Sequence, residues 1–174
     1  MRVKVKKLDG KAVIPYKKYD SDFCYDCVAV SEKRLAPGIW QYGLGLAFEI
    51  ERGYDLIERG HSICDNMGNI YGCENNNAID FSRSPVHLSI DARPRSSIWK
   101  TGMVLSNAVG TIDEHYRGEV SAIFYHVLPW RKRYRVGQKI CQIKLGLTLP
   151  LEFIEVEQLS ETDRGDGGFG STGK

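Results

Sequence analysis

Long apolar runs and a strong excess of one charge are both missing from this 174-residue chain. No stretch approaches the ~18 apolar residues of a membrane span, and the N-terminal residues alternate in charge where a signal peptide would carry an apolar block. With 24 Lys+Arg against 22 Asp+Glu, the formal net charge is only +2, which does not favour nucleic acid as a partner. We therefore expect a cytoplasmic protein with neither a nucleic-acid nor a membrane partner.

The cysteines are few and form no recognisable framework. Five of them, an odd number outside any secretory context, indicate free thiols rather than disulfides. Cys24 and Cys27 have the C-x-x-C spacing of half a zinc site, but the nearest candidates for a second half match no common zinc pattern: His61, Cys64 and Cys73. We expect small buried residues on strands rather than metal ligands.

Helical periodicity is rare, whereas strand-like patterns recur. Val3 and Val5 alternate with lysines, which is typical of a half-buried strand. Segments rich in Val, Ile, Tyr and Phe predict further strands at Phe23–Val30, Ile39–Ile50, Val86–Ile90, Glu119–Val127, Arg135–Leu145 and Leu151–Val156. Only Ser97–Leu105, capped by Ser96 or Ser97, is a candidate helix. The sequence predicts one all-β domain.

Two stretches depart from the strand pattern. Residues 53–85 carry turn-forming Gly and Asn and predict a surface excursion that can hold a hairpin. Residues 160–174 contain one large apolar side chain, Phe169, and cannot form a packed element alone. The Gly168–Lys174 segment begins like a P-loop, but the flanking strand and helix of a P-loop are not in the sequence. A disordered tail and an anion-binding arm both remain open.

Five short motifs stand out along the chain. They are Tyr25-Asp26, Pro94-Arg95-Ser96-Ser97, the NAVGTIDEHYRGE segment Asn107–Glu119, the GQKICQ segment Gly137–Gln142, and the RGDGGFGSTG segment Arg164–Gly173. In this order they resemble the motifs of the trimeric dUTPase family across nearly the whole chain. The third and fifth are long and specific. Two departures are Cys24 and Cys27, where the family usually has Gly and Leu, and residues 53–85, longer than the family's connection by about a hairpin.

The resemblance implies a fold and an activity. The fold is a jelly-roll-like distorted β-barrel of residues 1–159, with a surface insertion at about 53–85 and one short helix. A mobile glycine-rich arm, residues 160–174, would close the active site of a homotrimer whose sites each draw on three subunits. The activity is Mg²⁺-dependent hydrolysis of dUTP to dUMP and pyrophosphate, which keeps uracil out of DNA and supplies dUMP for dTMP synthesis.

The resemblance also implies roles for residues. Asp113 would activate the water that attacks the α-phosphate, and Asp26 would contact Mg²⁺ through water, because this ion prefers phosphate and water oxygens. The substrate-binding residues would be Arg95, Ser96, Ser97, Asn107, Gly110, Tyr116 and Gln142, together with Arg164, Phe169, Gly170 and Ser171 of the arm. Of these, Asn107 and Gly110 would select uracil, Tyr116 would exclude a 2′-hydroxyl, and Phe169 would stack on the base.

Without the resemblance, these residues have simpler interpretations. Asp113 could shape a turn, Asp26 could be a strand-edge aspartate, and Tyr116 could be a core aromatic. Two other functions also stay open. A dCTP deaminase of the same fold needs a glutamate in the strand after the third motif, but Val120–Val127 contains no acid. A regulator of this fold that binds a protein partner could use residues 53–85, whose sequence names no partner.

Overall fold

The computed structural model describes residues 2–51 and 87–166, together with the short pairs 63–64 and 70–71. The strands are β1 (Arg2–Lys7), β2 (Tyr25–Val28), β3 (Ser31–Ala36), β4 (Ile39–Gly43), β5 (Leu46–Glu51), β6 (Ile63–Cys64), β7 (Ile70–Tyr71), β8 (His87–Pro94), β9 (Met103–Leu105), β10 (Gly110–Asp113), β11 (Ser121–His126) and β12 (Lys139–Thr148). A 3₁₀ helix, Ser96–Lys100, joins β8 to β9. The all-β prediction is confirmed. In the part of the chain that is described, no helix has the length and apolarity needed to cross a membrane.

Two antiparallel four-stranded sheets form the body of the molecule. Their strand orders are β10–β8–β12–β2 and β3–β4–β11–β9, while β1 pairs with β5 and β6 with β7. The central strands β8 and β12 bring distant motifs together. Gln142 on β12 lies opposite Asp26 on β2 and opposite Arg93 on β8. The first, second and fourth motifs therefore meet at one end of this sheet.

An aromatic cluster fixes the centre of the core. Tyr42, Phe124 and Tyr134 pack edge-to-face, with ring centroids between 5.4 and 6.4 Å apart. Tyr42 and Phe124 are fully buried, and the Tyr42 hydroxyl donates to the Tyr134 carbonyl at 2.8 Å. Each such ring pair adds ~0.5–1.5 kcal/mol beyond its area burial. The cluster therefore anchors the segment before β12 against β4 and β11.

Positive-φ glycines explain two differences from the predicted elements. The predicted strand Ile39–Ile50 is two strands, because Gly45, at φ +65°, turns the chain between β4 and β5. The predicted helix Ser97–Leu105 is a 3₁₀ helix that ends at Lys100, since Gly102, at φ +65°, redirects the chain into β9. Its N-cap is Arg95 without a side-chain cap, so the expected capping by Ser96 or Ser97 is wrong.

The predicted strand Leu151–Val156 is wrong. Residues 149–160 have no regular secondary structure, although their apolar side chains recur as expected. Leu151 is 74% exposed and Phe153 is 91% exposed. No described strand pairs with this segment. Within the described part of one chain, no other surface covers this exposed apolar segment.

Some predictions fall on residues that the structure does not describe. Of residues 53–85, only β6 and β7 are described, and they pair antiparallel as in a hairpin. Residues 167–174, including Phe169, Gly170 and Ser171, lie outside the described residues. Among the described cysteines, Cys27 and Cys141 are free, buried and paired in register on β2 and β12, as expected for buried thiols on strands.

Candidate active site

A small cavity, here called the hairpin cavity, lies along the chain between β9 and β11. Its volume is about 220 Å³. It is lined by Ala92, Leu105, Asn107, Gly110, Thr111, Ile112, Asp113, Tyr116, Glu119, Val120, Ser121 and Ala122. Pockets for drug-sized ligands hold ~300–1,000 Å³. The hairpin cavity therefore suits a group of about nucleobase size rather than a whole nucleoside triphosphate.

The turn before β10 shapes one wall of this cavity. Ala108 adopts φ +53°, a left-handed conformation that costs a non-glycine residue roughly 1–2 kcal/mol, and its N–H donates to the Leu105 carbonyl at 3.2 Å. At Gly110, a Cβ atom would lie only 3.0 Å from the Asn107 Nδ2 atom. Glycine at this position thus lets the Asn107 amide rest against the backbone of β10. The two residues expected to select the base do lie together.

The turn after β10 fixes the opposite wall. Asp113 ends β10 with its side chain exposed, and its carbonyl accepts the Tyr116 N–H at 3.0 Å. The Tyr116 hydroxyl donates to the Glu119 carbonyl at 3.1 Å. The ring covers Gly118, where a Cβ atom would collide with it. The Asp113 carboxylate and the Tyr116 ring are therefore held on one short turn facing one cavity.

Glu119 is a lining residue to which the sequence analysis gave no role. Its Oε1 atom accepts the Gly45 N–H at 2.9 Å, which ties the third motif to the turn between β4 and β5. Its position inside the long third motif was the available signal. The contact with Gly45, 74 residues away, was not readable from the sequence.

A second cavity, here called the basic cavity, has a volume of about 450 Å³. It is lined by Arg95, Ser97, Lys100, Thr101, Lys132, Arg133, Tyr134, Gln138 and Lys139. Five of these side chains are cationic and none is acidic. A cavity with this lining attracts a multiply charged anion such as a phosphate chain. The motifs predict Arg95 and Ser97 as phosphate ligands but none of the lysines, although Lys139 lies within the fourth motif.

Asp26 organises the cations beside the basic cavity. Arg95 Nε donates to Asp26 Oδ1 at 2.7 Å, and Lys139 Nζ lies 2.9 Å from Asp26 Oδ2. Burial alone would raise the pKa of the Asp26 carboxyl, but the hydrogen bonds from Lys139 and Arg95 outweigh burial and lower this pKa. The Asp26 side chain is only 18% exposed. Asp26 is thus an ionised carboxylate that holds two cations in place.

The other candidates of the second and fourth motifs lie near this pair. Ser97 Oγ accepts from Arg95 Nη1 at 3.4 Å. Gln142, opposite Asp26, donates from Nε2 to the Pro94 carbonyl at 3.0 Å. Ser96 and Gln142 are not among the residues that line the basic cavity. Arg164 is exposed and lines neither cavity.

The structure therefore separates the predicted site residues into two groups. Asn107, Gly110, Asp113 and Tyr116 line the hairpin cavity, whereas Asp26, Arg95, Ser97 and Gln142 lie in or beside the basic cavity. No residue lines both cavities. Within one chain, the carboxylate and the cations are not assembled into one pocket.

Comparisons with known proteins find similarity to dUTPases. The dUTPase family model matches residues 81–173, more than half of the chain. The deoxyuridine 5'-triphosphate nucleotidohydrolase of Nautilia profundicola is 32% identical over 176 residues, covering all of both chains. The dUTPase of Staphylococcus bacteriophage 80alpha, solved with dUpNHpp, has a TM-score of 0.65 at 18% identity, with 99% of each chain covered.

A further structural neighbour is a mutant dUTPase from phage phi11 of S. aureus. That structure was solved for its coordination of a structural Mg(II) ion, and it aligns with a TM-score of 0.58 at 14% identity over 92% of this chain and 100% of the phage chain. At such low identities the structural matches establish the fold alone. The family model and the full-length relative establish more: this chain belongs to the dUTPase family.

Proposed function

We propose that this chain hydrolyses dUTP to dUMP and pyrophosphate, with water attacking the α-phosphorus and Asp113 taking its proton. The observation that carries this proposal is the hairpin cavity, where Asp113 lies with Asn107, Gly110 and Tyr116 in a space of about 220 Å³. A nucleotide whose base occupies this cavity brings its 5′-phosphates toward the exposed carboxylate of Asp113. Positioning and electrostatics then supply most of the acceleration for phosphoryl chemistry.

Selection of uracil follows from the wall at Asn107 and Gly110. The Asn107 amide and the β10 backbone offer donors and acceptors to the uracil edge. Cytosine presents the opposite pattern and leaves these groups unpaired, a mismatch that a polar site can reject by ~10⁴–10⁵. We expect the closely packed backbone of this wall to leave no room for a 5-methyl group. Tyr116 lies against the deoxyribose and excludes a 2′-hydroxyl.

The basic cavity receives the phosphates. Arg95 and Ser97 donate to phosphate oxygens, and Ser96 and Gln142 complete the set of donors as the chain closes around the substrate. Asp26 keeps Arg95 and Lys139 at fixed positions through its contacts at 2.7 and 2.9 Å. The pyrophosphate that leaves the α-phosphorus is stabilised by these same cations.

The residues present fit a magnesium ion that enters with the substrate. The described residues contain no group of three or more His, Cys, Asp or Glu that could hold an ion alone. Mg²⁺ prefers phosphate oxygens and water as ligands, and Asp26, whose two oxygens already bind Arg95 and Lys139, would hold such an ion through water. When bound, the ion neutralises charge on the phosphates. Arg164, Phe169, Gly170 and Ser171 of the arm close over the nucleotide.

Each active site is shared between subunits of a homotrimer. Two observations support this proposal: the hairpin and basic cavities have no lining residue in common, and the apolar segment Leu149–Leu159 is exposed. An apolar groove of about 370 Å³, lined by Val3, Val5, Ile14, Pro15, Tyr25, Phe48, Ile90, Ile143, Lys144 and Leu145, offers a matching surface on a second copy. We expect Leu149–Leu159 of a neighbouring subunit to pack there, since burying such side chains contributes ~1.5–3 kcal/mol each.

Pyrophosphate release tests the activity. We expect release from dUTP with Mg²⁺, and at least ~10³-fold lower kcat/KM for dTTP, dCTP and UTP. A chelator should abolish the reaction. Equal turnover of UTP would contradict the role of Tyr116, and ammonia release from dCTP would indicate a deaminase instead.

Mixed trimers test the shared site. Asp113→Asn chains and chains truncated after Asp163 should each be inactive as pure trimers. When co-expressed, some sites combine Asp113 from a truncated chain with the arm of the other chain, and partial activity should return. Mass measurement must show that mixed trimers form. If they form without activity above either parent, the arm and Asp113 act within one chain and the intersubunit site is wrong.

A further inference from the structure

The segment between Glu119 and Glu152 contains no acidic residue. It does contain six cations, four of them in the stretch Trp130–Arg135, here called the basic loop. In a chain whose net charge is only +2, this is a local concentration of positive charge. The basic loop lies between β11 and β12, outside the third and fourth motifs. Of these six cations, the proposed function gives a part only to Lys139, which Asp26 holds beside the basic cavity.

A third cavity, here called the loop cavity, is formed by the basic loop. Its volume is about 520 Å³, and it is lined by Trp40, His126, Pro129, Arg131, Lys132, Arg133, Arg135 and Gln138. Four of these residues are cationic and none is acidic. Lys132, Arg133 and Gln138 line the basic cavity as well, so the two cavities adjoin.

Arg133 is the fixed wall between the two cavities. Its guanidinium lies 3.5 Å from the centre of the Trp40 ring and donates to both oxygens of Glu32, at 2.9 and 3.0 Å. These contacts leave the side chain only 12% exposed. Hydrogen bonds from Arg133 lower the pKa of the Glu32 carboxyl, which therefore stays ionised at neutral pH. One carboxylate thus neutralises one guanidinium and holds it rigidly.

The remaining cations of the loop cavity are not neutralised in this way. Arg135 reaches Glu32 only at 3.5 Å, and its side chain is 64% exposed. Among the described residues, Arg131 and Lys132 form no salt bridge. Arg95, Lys100 and Lys139 already supply cations to the basic cavity. The loop cavity therefore holds positive charge beyond what a single phosphate chain in the basic cavity requires.

We propose that the loop cavity is a second anion site that binds a short phosphate chain, such as the triphosphate of a nucleotide, next to the catalytic phosphate site. A nucleotide bound there then moves into the basic cavity along Lys132 and Gln138, which line both cavities. This site raises the rate of substrate capture, because clustered cations around a cleft concentrate anions and accelerate their association. Its anion binding does not depend on hydrolysis, although its benefit to catalysis rests on the function proposed above.

The test uses Arg131→Gln/Arg135→Gln, since these residues line the loop cavity only. The matched control is Lys6→Gln/Lys7→Gln on β1, which removes the same charge away from both cavities. Calorimetry measures binding of inorganic tripolyphosphate at low salt, with dUpNHpp added at only one equivalent per active site, so that it occupies the active site and leaves the loop cavity free. Wild type and control should still bind tripolyphosphate, whereas the Arg131/Arg135 variant should bind it ~10-fold or more weakly. All proteins should melt at similar temperatures.

Kinetics with dUTP provide the second readout. In the Arg131/Arg135 variant, kcat/KM should fall several-fold at low ionic strength and rejoin wild type near ~1 M salt, where the screening length is ~3 Å. The value of kcat should not change.

Loss of tripolyphosphate binding in wild type when dUpNHpp is added would overturn the second site. So would binding of single-stranded oligothymidylate without tripolyphosphate binding, which would indicate a nucleic-acid surface. If the protein binds tripolyphosphate as expected but does not turn over dUTP, the proposed function is wrong and the second anion site stands.

Discussion

The hairpin cavity and the basic cavity are formed by different parts of the chain. The hairpin cavity is formed largely by one continuous stretch, residues 105–122, whose key contacts involve backbone groups and two glycines. The basic cavity is formed by side chains from distant parts of the chain, such as Arg95 and Lys139, and Arg95 is held by Asp26, 69 residues away. The proposed selection of the base would therefore depend on local backbone geometry, whereas the proposed binding of phosphate would depend on tertiary ion pairs.

This difference determines what a mutation can do. Changes in the hairpin cavity displace atoms within a short turn and should alter turnover or selectivity without unfolding the protein. Changes around Asp26 also release charges that hold two strands together, and should affect stability as well as substrate affinity.

The largest expected effect is that of Asp113→Asn. The amide keeps the size of the side chain but cannot accept a proton from water, so hydrolysis should fall by ~10³-fold or more while dUTP binding is nearly unchanged. Single-turnover kinetics and calorimetry measure the two quantities separately. A variant that retains more than about a tenth of wild-type kcat would contradict the role of Asp113 as the base.

Gly118→Ala should produce the next largest effect. An alanine Cβ atom would collide with the Tyr116 ring, so the ring must move, and displacements of this kind cost up to ~10²-fold in rate. We expect kcat/KM for dUTP to fall by about this factor and the preference over UTP to weaken. Gly10→Ala is the matched control, since its Cβ atom meets nothing within 4 Å. Unchanged selectivity in Gly118→Ala would separate Tyr116 from sugar recognition.

The parts of the fold that the sequence predicts well are those whose pattern follows burial. The predicted ends of β2, β8, β11 and β12 lie within a few residues of the observed ends, and the alternation of Val3 and Val5 predicts β1, because apolar and β-branched residues mark these strands. The strand β3, SEKRLA, was missed because it lies at the edge of its sheet with mostly exposed, charged side chains. Short β9 and β10 were missed because three or four residues carry too little periodicity.

The site shows the same limit. Motifs identified Asp26 and Arg95, and the structure joins them at 2.7 Å. The roles assigned to the site residues remain predictions until the experiments above are made. Lys139 and Glu119 are not predicted, because their importance arises from partners that sheet pairing or a turn brings near. Lys132 is not predicted, because the cavity that it lines is formed by residues distant in sequence. Contacts across tens of residues have no local signature in a single sequence.

Asp26→Asn tests the tertiary side of the comparison. The variant loses the negative charge that holds Arg95 and Lys139, and we expect the free energy of unfolding at pH 7 to fall by about 1–2 kcal/mol, with a higher KM for dUTP. The folded pKa of Asp26 lies below its unfolded value of ~3.9. The stabilisation by Asp26 is therefore present above about pH 4 and lost as pH falls through the folded pKa.

Urea unfolding at neutral and acidic pH measures this dependence. The difference between wild type and Asp26→Asn should shrink as pH falls below about 4. A difference that is constant with pH would show that the ion pairs do not contribute and that the carboxylate acts through packing alone.

The smallest expected effect concerns Tyr134, an aromatic residue that lines the basic cavity. Tyr134 is 5% exposed, and its hydroxyl has no hydrogen-bond partner among the described residues. A buried unpaired hydroxyl costs ~1–3 kcal/mol, so Tyr134→Phe, which keeps the ring packing, should leave the free energy of unfolding unchanged or raise it by up to ~1 kcal/mol. Tyr42→Phe is the matched variant, because that hydroxyl donates to the Tyr134 carbonyl at 2.8 Å and accepts from Arg133 at 3.1 Å. It should lose stability, since the Tyr134 carbonyl and Arg133 each lose one hydrogen bond in the core. Thermal and urea unfolding of both variants compare them directly. If Tyr134→Phe is the more destabilised, the Tyr134 hydroxyl forms a stabilising hydrogen bond, and ring packing alone does not account for the stability at this position. The basic cavity would then be more polar near Tyr134 than its lining residues indicate.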